Sequence, residues 1–243
     1  MFNWFNKNTN TKAGIPPVID IHSHLLSNLD DGVQSLEEAE KIILRFQKLG
    51  YKKLITTPHV MSDSYRNSNQ SILEKCTELQ NWLTSKSIAV EIQAAAEYYL
   101  DEDLMRKLES DEPILTFGNR YLLFETNFMT EPMNLKEFIF LATTKGYKPV
   151  LAHPERYIYL QTNFDKLEDI LNRGVLFQIN ISSISGYYSK AAKKIVQKLI
   201  DRGWVHLLGS DCHNEQHIQL LEKIRHTKYF QKAISLPLLN NSL

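Results

Sequence analysis

The 243-residue chain is short of several things, and each shortage excludes a class of protein. It has two cysteines, Cys76 and Cys212, too few to staple a fold of this length, so a reducing, cytoplasmic setting is expected. It has no surplus charge of either sign, because 28 Lys+Arg balance 28 Asp+Glu. Bulk electrostatic binding to nucleic acid is thereby excluded as its mode of action. No apolar run reaches the length of a membrane span. The start, Met1-Phe2-Asn3-Trp4-Phe5-Asn6-Lys7, lacks the apolar stretch of a signal peptide and reads as a flexible arm over residues 1–14. No Gly-x-Gly-x-x-Gly follows the first apolar run, and there is no Gly-rich phosphate loop ending in Lys, so a nucleotide-binding sheet has little support.

What is present is a chain 43% hydrophobic, enough to bury a sizeable core, with a repeating pattern. Short apolar runs at 18–21, 54–57, 90–96, 121–124, 149–152, 175–179 and 205–208 read as strands. Amphipathic segments at 35–49, 71–86, 101–109, 135–145, 164–172, 190–202 and 215–224 read as helices between and after them. Several close on glycine, at Gly50, Gly146, Gly174 and Gly203, and the first opens on Ser35 with Glu38 at the capping-box position. About seven strand–helix units without a linker favour a closed parallel barrel over an open sheet, as one α/β domain from residue 15 to 243.

The chemistry-bearing residues fall where these strands end. The first strand runs into His22-Ser23-His24, the second into Thr57-Pro58-His59, and the third reaches Glu97. The fourth ends at Glu125, the fifth at His153-Pro154, and the seventh at Ser210-Asp211-Cys212-His213. In a parallel barrel these ends share one face, so five of the eight histidines would converge with strand-end carboxylates. Alternation turns both rings of His22-x-His24 to one side, and Asp211-x-His213 repeats that spacing. A metal centre is the expectation, since so many titratable groups in one mouth are costly without a cation. Nitrogen and oxygen donors without thiolate suit Mn, Fe or Zn.

His22-Ser23-His24, Asp30-Asp31-Gly32, Thr57-Pro58-His59, Glu97, Glu125, His153-Pro154-Glu155-Arg156-Tyr157 and Ser210-Asp211-Cys212-His213 together resemble the motifs of the polymerase and histidinol phosphatase (PHP) family. The likeness is greatest to its bacterial tyrosine phosphatase branch of capsule and exopolysaccharide synthesis. It runs from about Val18 to His217. The resemblance implies a distorted seven-stranded (β/α) TIM-like barrel and a phosphoesterase with three divalent metal ions, manganese foremost. It implies one metal on His22, His24 and Asp211 with Glu97 bridging, a second on Glu97, Glu125 and His153, and a third on Asp31, His59 and His213. Asp30 is chemically equivalent to Asp31, and Asp-Gly is also a plain turn signal.

A metal-activated hydroxide would attack the phosphorus of phosphotyrosine, and the partner implied is a bacterial tyrosine kinase of polysaccharide export. Arg156, beside His153, is the expected phosphate-binding cation, and Arg66 in the loop after His59 is a second candidate. Some relatives carry an arginine shortly after the last metal histidine, whereas here the stretch reads His213-Asn214-Glu215-Gln216-His217-Ile218. A small-molecule phosphatase such as a histidinol phosphatase is the alternative. A cysteine mechanism is disfavoured, because the residue sets following Cys76 and Cys212 lead to Asn81-Trp82 and His217-Ile218 and not to the arginine such enzymes need.

Overall fold

The computed structural model describes Pro16–Leu243, so the expected arm over residues 1–14 lies outside the described residues. The elements run in the order β1 (Ile19–Asp20), α1 (Leu36–Lys48), β2 (Lys53–Thr56), β3 (His59–Val60), α2 (Asn69–Ser85), β4 (Glu91–Ala94), β5 (Glu97–Tyr99), α3 (Glu102–Glu109), β6 (Tyr121–Glu125) and α4 (Leu135–Thr144). They continue with β7 (Lys148–Ala152), α5 (Ile158–Gln161), α6 (Asp165–Asn172), β8 (Leu176–Asn180), α7 (Lys190–Arg202), β9 (Leu207–Gly209), α8 (Glu215–Ile224) and α9 (Lys228–Ile234).

Helix ends follow local chemistry. Ser35 accepts from the backbone of Glu38 at the start of α1, where Glu37 and Glu38 also meet the positive end of the helix dipole. Asn214 caps α8 by accepting from Gln216 and His217. Gly203 closes α7 in the left-handed conformation, at φ 71°.

The strands pair only in parallel and form two sheets, ordered β1-β2-β4 and β3-β5-β6-β7-β8-β9. The strand pattern of the sequence predicts one ring of seven strands. The second and third of those strands are instead each broken in two, β2 from β3 at Thr57-Pro58 and β4 from β5 at Ala95-Ala96. Pro58 has no N–H to give a ladder, which is a local reason for the first break. Backbone bonds cross both breaks: Ala95 N donates to Thr56 O at 2.9 Å and Glu97 N to Pro58 O at 3.1 Å. At the other edge, Ser23 pairs in parallel with Cys212, and Asp211 N donates to His22 O at 2.8 Å. The result is one α/β unit on a curled parallel sheet.

Side-chain alternation divides the core accordingly. Ile21, Ile55, Ala95, Leu123, Val150, Ala152 and Leu207 form one buried cluster, with members from around the curl. Their neighbours Leu54, Leu122, Phe124 and Leu151 join the larger cluster with Ile43, Leu79, Phe138 and Leu199 from the helices. The end of the curl opposite the ligand-bearing strand ends is stitched by Asn240. Its fully buried amide donates to Ile19 O and Leu208 O and accepts from Leu208 N, tying β1 to β9.

Candidate metal centre

All nine expected ligands come together. His22 and His24 follow β1, His59 opens β3, Glu97 opens β5 and Glu125 closes β6. His153 follows β7, while Asp211 and His213 follow β9. His153 and Asp211 both hold left-handed backbone, at φ 33° and 51°. Non-glycine residues in that region cost about 1–3 kcal/mol each and persist where the surrounding fold imposes them.

Four overlapping sets bring their ligand atoms within 4.8 Å of one another: His22/His24/Asp211, His22/Glu97/His153, His59/Glu97/Glu125 and His24/Asp31/His59/His213. The expected trio of Glu97, Glu125 and His153 therefore divides. His59 Nδ1 reaches between the two carboxylates, 3.1 Å from Glu97 Oε2 and 3.1 Å from Glu125 Oε1. His153 Nε2 instead lies 3.0 Å from Glu97 Oε1, on the side of His22. Glu97 thus belongs to two of the sets and is itself fully buried.

The rings are held so that one nitrogen points inward. His24 Nδ1 donates to Asp30 Oδ2 at 2.7 Å, and His22 Nδ1 donates to Gln178 Oε1 at 2.7 Å. His213 Nδ1 donates to Asp211 O at 2.9 Å. Orienting partners of this kind fix the tautomer of a neutral ring, so that Nε2 is the nitrogen aimed into the cluster. Asp30 also accepts from the backbone N–H of Gly32 and of His59, so it is spent on positioning. Its neighbour Asp31 is half-exposed and turns Oδ1 to His59 Nε2 and His213 Nε2, at 3.6 and 3.4 Å.

Space is tight behind these rings. A Cβ at Gly209 would stand 2.5 Å from Gln178 Nε2 and 2.7 Å from His22 Cβ. One at Gly32 would stand 2.2 Å from His24 O.

Charges in the mouth shift one another. Burial opposes charge on His59, but Glu97 and Glu125 outweigh it and push the ring up to about 12. Burial likewise opposes charge on His22, yet Glu97 and Asp211 lift it to about 9. Burial alone would raise Glu97, but His22 and His59 hold it well below the usual carboxylate range. Asp211 is held low in the same way by His22, His24, His213 and Arg156. The carboxylates of this cluster therefore call for positive charge around them.

The mouth opens into a cavity of about 410 Å³ whose lining includes His59, Met61, Phe128, Arg156, Tyr188 and His217. Arg156 lies there, its guanidinium 4.8 Å from the ring centre of Phe128 and 4.1 Å from that of Tyr188. Its Nη1 donates to Asp211 Oδ2 at 3.0 Å. Asn180 Nδ2 and the Tyr188 hydroxyl donate to the same oxygen, at 2.7 and 3.3 Å. Asp211 Oδ1 is left to the histidines, 3.5 Å from His22 Nε2 and 3.4 Å from His24 Nε2.

Arg66 is elsewhere: it is exposed, donates through Nε to Ser62 O, and lines a neighbouring cavity. Phe128, Tyr188, Gln178 and Asp30 are site residues whose roles the sequence reading missed. Nothing in the local sequence of Phe128 or Tyr188 marks either.

The donor set fits divalent cations. It is imidazole nitrogen and carboxylate oxygen throughout, with Cys212 turned into the apolar core. Glu97 Oε2 and His59 Nδ1, though 3.1 Å apart, do not meet in hydrogen-bond geometry, and neither these two atoms nor buried His153 Nδ1 makes a hydrogen bond among the described residues. Orphaned buried groups are rare unless an ion or a ligand serves them.

Comparison with known proteins agrees. The family profile described as capsular polysaccharide synthesis, CpsB/CapC, matches residues 18–230. CapC of Staphylococcus aureus is 29% identical over 197 residues, covering 81% of this chain and 77% of its own length. The tyrosine-protein phosphatase CpsB of Streptococcus pneumoniae is 28% identical over 202 residues, covering 81% and 83%. Among solved structures, one from work on YwqE of Bacillus subtilis and CpsB of S. pneumoniae, described as metal-dependent tyrosine phosphatases, superposes with a TM-score of 0.77. It is 26% identical and covers 87% of this chain and 89% of its own. A histidinol phosphate phosphatase of Lactococcus lactis, at 12% identity and a TM-score of 0.50, shares the fold alone. The extent of the profile match, over nearly all the described residues, places this chain in the CpsB/CapC family of capsular polysaccharide synthesis.

Proposed function

We propose that the chain is a cytoplasmic, metal-dependent protein-tyrosine phosphatase whose substrate is a bacterial tyrosine kinase of capsule or exopolysaccharide synthesis. The observation that carries this reading is Glu97, a fully buried carboxylate within 3.2 Å of nitrogens of His22, His59 and His153. Such a group is shaped to bridge cations. Three divalent ions, manganese foremost, would be held among His22, His24, Asp31, His59, Glu97, Glu125, His153, Asp211 and His213, with Glu97 shared between the His22 and His153 side and the His59 and Glu125 side. When bound, they would supply Lewis acidity for hydrolysis of a phosphoric monoester.

The rest falls to the chain. Arg156 binds a phosphate oxygen with the edge of its guanidinium, while Phe128 and Tyr188 fix its plane. Asn180 and Tyr188 occupy the outer oxygen of Asp211, so that carboxylate presents one oxygen inward. Met61 and Phe128 are the apolar walls of the cavity, and they bound the phenyl ring of the substrate. Phenolate leaves with a pKa near 10, so no dedicated proton donor is required of the protein.

We further read the two sheets as a single closed seven-strand (β/α) barrel, one domain from residue 15 to 243. The Ser23–Cys212 bridge and the bonds across Thr57-Pro58 and Ala95-Ala96 support it. The test of function is turnover of phosphotyrosine peptide and of histidinol phosphate by one manganese-loaded sample, with its metal content measured. Release of phosphate from the peptide is expected. Release from histidinol phosphate alone would overturn the reading.

A further inference from the structure

Beside the metal cavity lies a larger groove of about 730 Å³, formed by the 60–70 segment facing α3 and Pro113. Met61 lines both spaces, so the groove begins where the wall of the metal cavity ends. The loop between them is firmly built. Met61 N donates to Tyr65 O at 2.9 Å, and Ser62 N donates to Asp101 Oδ2 at 2.9 Å. Asn67 Nδ2 donates to Leu29 O and His59 O, each at 2.8 Å. The Tyr65 ring lies nearly parallel to that of His59, with centres 5.6 Å apart. A loop pinned at its start, middle and end keeps its shape when something is laid against it.

The lining is polar, with Ser62, Asn67, Ser68, Asn69 and Gln70 along one side. This suits a polypeptide backbone, which must find partners for its own N–H and C=O groups. Most of its charges are already matched. Lys107 pairs with Asp103, and Arg106 behind the lining pairs with Glu112. Arg66 has no carboxylate partner among the described residues, and Asp63 has no cation. Arg66 commits only its Nε, to Ser62 O at 2.6 Å, which leaves both terminal nitrogens to the groove.

We infer that this groove binds the stretch of substrate polypeptide flanking the phosphotyrosine, with Arg66 pairing to an acidic residue of that flank. The inference rests on the protein-tyrosine phosphatase reading and extends it from the phosphate to the chain that carries it. Asp63 on the same loop disfavours a uniformly acidic flank and leaves one acidic position opposite Arg66. Arg66 is thus a specificity residue, one that never touches the phosphate.

The test compares three substrates on metal-loaded protein: a phosphotyrosine peptide with one acidic residue in its flank, the same peptide with that residue changed to lysine, and p-nitrophenyl phosphate. In the unaltered protein, kcat/KM for the acidic peptide is expected to exceed that for the lysine peptide about tenfold. In Arg66→Glu that preference inverts. The ratio of acidic-peptide to p-nitrophenyl phosphate turnover also falls about tenfold, mainly through KM. Binding of the acidic peptide carrying a non-hydrolysable phosphonate, followed by fluorescence anisotropy, weakens in parallel. If Arg66→Glu keeps both ratios, the groove inference is overturned and the phosphatase reading stands. If the unaltered protein hydrolyses neither peptide, both are overturned together.

Discussion

His24 donates its Nδ1–H to the buried carboxylate of Asp30 across 2.7 Å, which turns its Nε2 toward the cluster and toward Asp211 Oδ1. Asp30 is a positioning residue, and Asp31 beside it is the one whose oxygen joins His59 and His213. Asp30→Asn should therefore lower manganese affinity about 10–100-fold while leaving the ligand set intact. Titration calorimetry on the metal-stripped protein measures this. Affinity equal to that of the unaltered protein would remove Asp30 from its orienting role.

Glu97 stands in two of the four ligand sets, whereas Glu125 stands in one. Glu97→Ala should lose more than one metal equivalent, and Glu125→Ala at most one. Elemental analysis after dialysis separates them. Full metal content in Glu97→Ala would sink the bridging role.

Arg156 is gripped between Phe128 and Tyr188 and tied to Asp211. A lysine offers no plane to stack and no second donor edge. Arg156→Lys should raise KM for an aryl phosphate about tenfold, equivalent to about 1.4 kcal/mol, with metal retained. Unchanged KM would take Arg156 out of phosphate binding.

These assignments were unevenly legible in the sequence. Helices over Lys190–Arg202 and Glu215–Ile224 match their expected bounds, because caps at Ser189 and Asn214 and the glycine at 203 are local signals. The convergence of the candidate ligands was legible because a parallel sheet sends every strand end to one face. Asp30 and Asp31 could not be told apart, since a loop's backbone decides which neighbour turns inward. Phe128 and Tyr188 meet Arg156 from loops far apart in the chain, so no spacing announces them. Arg66 follows Tyr65, which stacks on His59, yet its own side chain bends back to Ser62 and away from the metals. The break at Thr57-Pro58 has a proline to mark it, whereas nothing in the local sequence marks the one at Ala95-Ala96.

Asn240 joins β1 to β9 with three hydrogen bonds in a site closed to water. Asn240→Ala leaves those backbone groups unpaired. Each orphaned group costs about 1–3 kcal/mol, so a loss of about 3 kcal/mol is expected in urea unfolding. A change below about 0.5 kcal/mol would show that this seam is held by other contacts.

His206 supplies a pH dependence remote from the metal centre. Burial pushes its ring below the ordinary 6.5, and its Nδ1 accepts from Phe177 N at 3.1 Å, which requires an unprotonated nitrogen. The unfolded chain therefore binds this proton more readily than the folded one. The stabilising contribution is complete above about pH 6.5 and is lost as the pH falls below it. His206→Asn keeps an acceptor and removes the titration, so its stability should fall less than that of the unaltered protein between about pH 6.5 and 5. Parallel curves for the two proteins would contradict the assignment.

The contact behind His22 has a consequence for what sequence change the fold tolerates. Gly209 does not need left-handed backbone; it needs emptiness, because Gln178 and the Cβ of His22 fill the space a side chain would take. Position 209 is therefore a gauge of its neighbour's size. Alanine there can be accommodated only if residue 178 gives way and His22 shifts as well, and either change disturbs the bond that orients His22 Nδ1. A library randomised at both positions should return glycine at 209 together with an acceptor of glutamine's reach at 178 among the variants that keep metal, making these two sites a linked pair with little mutational freedom.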